Sequence, residues 1–228
     1  MTRVRTEIRD DVALVDWDDG KANTWSIGSI GDLNAALDEA EKAQAKAIVL
    51  RGRERYFSAG FDLKELGRGG ATMTAMLRGG AELLMRIYES RTPVVAACTG
   101  HALGMGALAL LASDIRIGAR VDCKIALNES RIAMALPTFA TELAEARLSK
   151  RHLTRSAILA EIHAPDGAAE AGFLDRVVEP EALRDDALAE ARDIASFTGK
   201  HVGRTKLLLR RPLIERVRAS IEAEFPEP

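Results

Sequence analysis

From Pro93 to Ala112 the chain reads PVVAACTGHALGMGALALLA, twenty residues without an acid, a lysine or an arginine. Its length and the Gly100-x-x-x-Gly104 spacing fit a membrane span. The local chemistry argues against one. Pro93 opens a β-branched run, Thr99, Gly100 and His101 interrupt it, and Asp114 and Arg116 follow at once. The pattern predicts a strand at Val94–Cys98, a tight turn, a buried helix over Leu103–Ser113 and another strand at Ile115–Gly118. The turn from Gly100 to Gly106 leads into the helix start, and free N–H groups at a helix start favour an anion. No GxGxxG, GxxxxGK[ST] or GxSxG accompanies it, so dinucleotide, P-loop and nucleophile-elbow chemistries lack their signatures.

Outward from this stretch, strands and helices alternate. Val12–Trp17 (VALVDW) reads as a strand, closed by the turn Asp18-Asp19-Gly20. Ser26 is placed to cap a helix whose apolar face is Ile27, Ile30, Leu33, Leu37 and Ala40. Ala47–Leu50 is a short apolar strand, and Met73, Met76, Leu77, Leu84, Ile87 and Tyr88 mark a second amphipathic helix. After Pro137 the pattern is helical, apart from a β-like run at Arg176–Val178. Such alternation predicts an α/β layered fold followed by a helical C-terminal region.

Composition narrows the function. A chain of 228 residues reads as one domain and buries enough surface to need no disulfide or metal. With 47% apolar and 29% charged residues it belongs with globular proteins. Its net charge of −2, from 32 basic and 34 acidic residues, gives no global attraction to nucleic acid or anionic lipid. Cys98 and Cys123 form no CxxC pair, and His101, His152, His163 and His201 are scattered, so no metal site is expected. The opening MTRVRTEIRD has no hydrophobic signal core, and the expected location is the cytoplasm.

A second informative segment is RYFSAGFDLKEL, Arg55 to Leu66. Gly60 permits unusual backbone angles and the close approach of a ligand, and N–H groups exposed at such a turn hold an anion. The residues alone fit equally well a plain strand-to-helix turn capped by Asp62.

Together the two segments resemble the signature blocks of the crotonase (enoyl-CoA hydratase/isomerase) superfamily, FSAGxDL and PVIAAVNGxALGGGxEL…CD. Here they read FSAGFDLKEL and PVVAACTGHALGMGALALLASDIRI, at a similar separation. Leu127-Asn128-Glu129-Ser130 followed by Pro137 resembles the NE…P segment of several members, and Gly20-Lys21-Ala22-Asn23 the family's first loop. The resemblance covers roughly residues 10 to 180. It implies a spiral of ββα units over residues 1–182, and a helical trimerisation region over 183–228 that assembles a homotrimer or homohexamer. It also implies an acyl-CoA thioester as substrate, with no further cofactor.

The family's common reaction passes through a thioester enolate held by two backbone N–H groups. Position by position, these fall on Phe61 and Met105. Each such donor contributes roughly 2.7–4 kcal/mol to the transition state. Met105 stands where the family commonly has glycine; a main-chain donor survives that change, while the site narrows. CoA is expected along Lys21, Ala22 and Asn23, and along Ala59, Gly60, Asp62, Leu63 and Lys64, with Lys206 reaching the phosphates from a neighbouring chain.

The acid/base positions depart from the hydratase pattern. Of the two glutamates that serve enoyl-CoA hydration, the first falls on Leu108, which transfers no proton. The second falls on or beside Glu129, with a one-residue ambiguity from an insertion. A single carboxylate suits double-bond isomerisation, one base carrying a proton from C2 to C4. Enoyl-CoA hydration, thioester hydrolysis and an inactive acyl-CoA-binding protein remain alternatives. His101 titrates near neutrality but reads as a satisfied turn residue. The family's GGTQRL segment is replaced by Thr138–Ser149, which leaves the acyl pocket undefined. In the C-terminal region Leu207, Leu208, Leu213, Ile214, Val217 and Ile221 need a covering surface, either a partner chain or the chain's own core.

Overall fold

Arg9 and Val12 face each other across a two-residue turn, Asp10-Asp11, both at positive φ (53° and 62°). Aspartate tolerates that region, and the mirror-image turn matches the twist of the flanking strands. The turn joins β1 (Val4–Arg9) to β2 (Val12–Trp17), an antiparallel hairpin at the sheet's edge. The sequence pattern marks β2 alone, because β1 is mostly exposed and shows little apolar alternation. The computed structural model describes residues 3–226.

From β2 the main sheet continues in parallel through β4 (Ala47–Arg51), β7 (Val94–Cys98), β9 (Ile115–Ala119) and β11 (Arg176–Val178). Each long strand is followed by a short one and then by helix or turn. Strands β5 (Arg55–Ser58), β8 (Gly100–Leu103) and β10 (Ile125–Ala126) pair in parallel as a second sheet, and β3 (Thr24–Trp25) pairs with β6 (Gly60–Phe61). This repetition is the ββα spiral of the crotonase fold. Strand β8 was expected to be turn and helix start. Leu103 belongs to the strand instead, because its backbone pairs with Ala126 while Gly104 breaks the chain at φ 52° before the helix begins.

Helices cover both faces of the main sheet. On one side lie α1 (Ile27–Lys42), α3 (Gly70–Glu89) and α4 (Met105–Ala112); the short α2 (Leu63–Leu66) precedes α3. Helix α1 begins at a reciprocal Ser26–Ser29 capping box. All eight residues of α4 are buried, so it is the centre of the core rather than an amphipathic surface helix. Each fully buried leucine contributes about 1.5–3 kcal/mol. The apolar stretch that could be mistaken for a membrane span is therefore strand, strand and core helix, and no helix among the described residues is long and apolar enough to cross a bilayer.

The opposite face of the sheet is covered by α7 (Leu183–Phe197), through Leu183, Ala187, Ala191, Ile194 and Ala195. Helices α5 (Thr138–Arg147) and α6 (Pro165–Ala171) follow the second sheet, and α8 (Lys200–Glu224) closes the chain against α3 and α5. Of the apolar positions expected to need a cover, Leu213, Val217 and Ile221 are buried in the chain's own core, and Ile214 packs against it. Leu207 is half-buried and Leu208 is 55% exposed.

Candidate active site

Three short strands, β5, β6 and β8, converge on α4. Asn23 organises the approach. Wholly buried and at φ 51°, it donates through Nδ2 to Trp17 O (2.7 Å) and Phe57 O (3.2 Å). Its carbonyl accepts from Ser58 Oγ (2.7 Å), and Ala59 N donates to Ala22 O (2.9 Å). Asp19 braces the same loop, accepting from the N–H groups of Lys21, Asn23 and Thr24 at 2.7–3.1 Å. Burial alone would raise its carboxyl; the three N–H bonds and the charge of Arg53 outweigh that and hold it below the usual range. Asn23 is thus a tie within the fold, and its side chain is not free for a ligand. Asp19 went unnoticed in the sequence, where it reads only as part of a turn.

Gly60 brings the strand against α4. Its φ is +89°, and a Cβ there would stand 2.9 Å from Leu103 O and 3.6 Å from Met105 N. Asp62 N donates to Trp25 O (3.0 Å) in the pairing of β6 with β3. Alternate N–H groups of a strand turn to opposite edges, so Phe61 N–H faces away from β3. Met105 is the first residue of α4, where an N–H has no acceptor within the helix. Phe61, next to Gly60, and Met105 thus lie close together, one in a strand and one at a helix start.

Glu129 stands beside Gly104, the residue before Met105. It opens a 3-10 turn (Glu129–Ile132), and its Oε1 lies 3.2 Å from where a Cβ on Gly104 would be. Gly104, at φ 52° and ψ −116°, leaves that space open. The other carboxylate oxygen, Oε2, is buried and accepts no hydrogen bond among the described residues. Burial pushes the Glu129 carboxyl above the usual range, and its own backbone N–H opposes this only in part. Asn128 Oδ1 is the other polar atom near Gly104, at 3.7 Å from the same point.

The remaining candidates divide. Leu108 is 1% exposed and packed inside α4's apolar surroundings. Asp62 caps α2, accepting from Lys64 N (2.8 Å) and Glu65 N (3.2 Å). Lys21, Leu63 and Lys64 are exposed, Ala22 and Ala59 partly so. His101 accepts from Lys124 N through Nδ1 (3.0 Å) and lies against Tyr56, its rings 5.1 Å apart. Burial, with the charges of Lys124 and Arg55, lowers its pKa; its Nδ1 is satisfied, but it lies in strand β8 and not in the turn expected.

Lys206 requires correction. Its ammonium is buried and held by Asp114 Oδ2 at 2.7 Å, beside Arg210 and Arg147. Burial and the neighbouring guanidiniums lower it to about 8 despite the pull of Asp114. A residue so engaged inside its own chain cannot reach out to a phosphate. Among the described residues no group of three or more His, Cys, Asp or Glu could hold a metal.

A profile of the enoyl-CoA hydratase/isomerase family matches residues 7–225. The chain belongs to the enoyl-CoA hydratase/isomerase family. Among solved structures of family members, one from Pseudomonas syringae is 37% identical with a TM-score of 0.95, covering 97% of this chain and 96% of that one. An enoyl-CoA isomerase from Mycobacterium tuberculosis is 36% identical with a TM-score of 0.92, over 97% and 96% of the two chains. In sequence, the human mitochondrial enoyl-CoA delta isomerase 1 is 27% identical over 93% of this chain and 72% of that protein. A probable enoyl-CoA hydratase of Bacillus subtilis is 34% identical, over 57% of this chain and half of that protein. Membership of the enoyl-CoA hydratase/isomerase family makes this an acyl-CoA enzyme. Relatives on both sides leave the reaction to be argued from the site itself.

Proposed function

We propose that this enzyme isomerises the double bond of an enoyl-CoA thioester, with Glu129 as its single acid/base. The observation that carries the reading is the desolvated Glu129 carboxylate beside Gly104 and the Met105 N–H, with leucine at position 108 where hydration needs a second carboxylate. In a 3-enoyl-CoA, ionised Glu129 takes the proton from C2. The electron pair moves to the thioester oxygen, forming a dienolate that accepts hydrogen bonds from Phe61 N–H and Met105 N–H. Protonated Glu129 then returns the proton at C4, and the double bond re-forms between C2 and C3. Preorganised donors contribute roughly 2.7–4 kcal/mol each. A carboxyl raised by burial sits nearer the working pH, which favours its use as a base that later acts as an acid.

The CoA moiety is placed along Lys21–Asn23 and Ala59–Lys64, using main-chain groups and the exposed ammonium of Lys21. Exposed Leu208 and Leu209 (55% and 78%) on α8 support assembly into a trimer or hexamer, which sedimentation of the purified protein tests. Hydration is the second reading, favoured by the Bacillus subtilis relative. Incubation with 3-enoyl-CoA and with 2-enoyl-CoA, followed by product mass and chromatographic separation of the positional isomers, separates the two. A shift of the double bond without added water supports isomerisation; a mass gain of one water from 2-enoyl-CoA, undiminished in Glu129→Gln, overturns it.

A further inference from the structure

Both residues proposed as oxyanion donors carry bulky side chains, and both point them at one place. On α3, a Cβ built at Gly80 would stand 2.8 Å from Phe61 Cε1 and Cζ and 3.0 Å from Met105 Cε. Real Cβ atoms essentially never come as close as 2.8 Å, and 3.0 Å is tight, so the missing side chain at position 80 lets the ring and the thioether seat on the helix as they do. Gly80 is buried, and Met105 is 2% exposed. The adjacent Gly79 differs: a Cβ there would meet only Ile30, at 3.6 and 3.9 Å, an ordinary contact. A side chain at position 80 would make the tips of Phe61 and Met105 shift, while one at position 79 would displace nothing.

The two side chains seated on α3 belong to the residues whose backbone N–H groups are the proposed donors. Phe61 lies in a two-residue strand and Met105 is the first residue of α4, so pushing either side chain moves a short segment whose N–H is in use. Such donors act only near their proper separation from the oxygen, and a misplacement of about 1 Å can cost on the order of 100-fold in rate. We propose that Gly80 is a positioning residue for the oxyanion hole: a notch in α3 that fixes Phe61 and Met105 at once. Met105 replaces a common glycine of the family's signature block, and the notch provides the room that the larger residue needs. The inference rests on the reading of Phe61 and Met105 as oxyanion donors. It predicts that an ordinarily benign helix substitution, glycine to alanine, acts here on the chemistry from a residue that touches no substrate.

The experiment compares Gly80→Ala, Gly79→Ala and Gly80→Ala/Met105→Ala with the unaltered protein. Three readouts are taken: kcat and KM with 3-enoyl-CoA, the infrared shift of the thioester carbonyl of a bound saturated acyl-CoA, and thermal unfolding. Gly79→Ala should leave all three unchanged or raise the melting temperature, because alanine is the better helix former. Gly80→Ala should lower kcat about 10- to 100-fold, with KM little changed and the carbonyl shift reduced. Removing the thioether in the double variant should recover part of both. Equal kcat and an equal carbonyl shift in Gly80→Ala and the unaltered protein would overturn the proposal, as would a loss confined to KM. If Gly80→Ala does not fold, the double variant is compared with Met105→Ala alone. The remaining clash with Phe61 should still lower kcat, and equality would refute the role. A normal carbonyl shift in a protein that isomerises nothing would count against Glu129 as the single shuttle while leaving the notch standing. Bound acyl-CoA with no carbonyl shift in the unaltered protein would remove the oxyanion hole and, with it, the role of Gly80.

Discussion

Replacing Glu129 by glutamine should destroy activity and stabilise the protein in the same step. The amide keeps the size and hydrogen bonding of the side chain but cannot take a proton. General acid–base catalysis contributes about 10²–10⁴-fold, and isomerisation of 3-enoyl-CoA should fall by at least that much. Acyl-CoA binding should persist, since the proposed oxyanion donors are backbone groups. The stability argument comes from Oε2, buried without a partner, and from a carboxyl raised by burial. An acid whose pKa is higher in the folded state holds its proton better folded than unfolded. Stability is therefore complete at pH values below the unfolded pKa and is lost as pH rises through the folded one. Above that range the raised carboxyl costs stability, and each kcal/mol lost lowers the melting temperature by about 2–4 °C in a domain of this size. Glu129→Gln should thus melt higher than the unaltered enzyme at pH 7 to 8, with the gap closing on acidification toward the ordinary glutamate range. The rate of the unaltered enzyme should rise with pH through the raised pKa and then level off. Parallel calorimetry and initial rates across pH measure both effects. Activity retained in Glu129→Gln, or a variant less stable than its parent at neutral pH, would refute the reasoning.

Leu108→Glu should raise hydration of 2-enoyl-CoA from its low baseline while lowering the melting temperature, because an unpaired carboxyl buried in α4 costs about 1–3 kcal/mol even when protonated; an unchanged melt with no added hydration would refute it. Lys21→Ala should weaken CoA binding more at low than at high ionic strength, since exposed phosphate contacts are screened by salt; calorimetric titration at two salt concentrations checks this. Asp114→Ala should destabilise the fold by about 3–5 kcal/mol in denaturant titrations, leaving Lys206 and Arg210 without their buried partner. CoA affinity of the folded Asp114→Ala protein should stay unchanged, which separates this cluster from the ligand site.

Local chemistry made several elements legible from the sequence. Ser26 and Asp62 were readable as caps because a cap is decided within three or four residues. Val94–Cys98 was readable because a strand buried on both faces is a short continuous apolar run. Leu103 was misplaced because its strand state depends on Ala126, far along the chain. Lys206 was misassigned for the same kind of reason: a lysine on a polar helix looks available until Asp114, 92 residues away, is brought against it. The proximity of Glu129 to Gly104 and the notch at Gly80 are likewise contacts between distant segments, with no local pattern to announce them.

Helix α4 has one further consequence. Its eight residues are all buried, so its amides are expected to exchange with solvent only when the domain opens as a whole. Met105 begins that helix, while Leu63 and Lys64 lie on the exposed four-residue α2, which can open locally. The molecule thus separates two rigidities. If CoA binds as proposed, contacts with α2 loosen and re-form on fast local fluctuations, while the start of α4 keeps its geometry for the lifetime of the folded state.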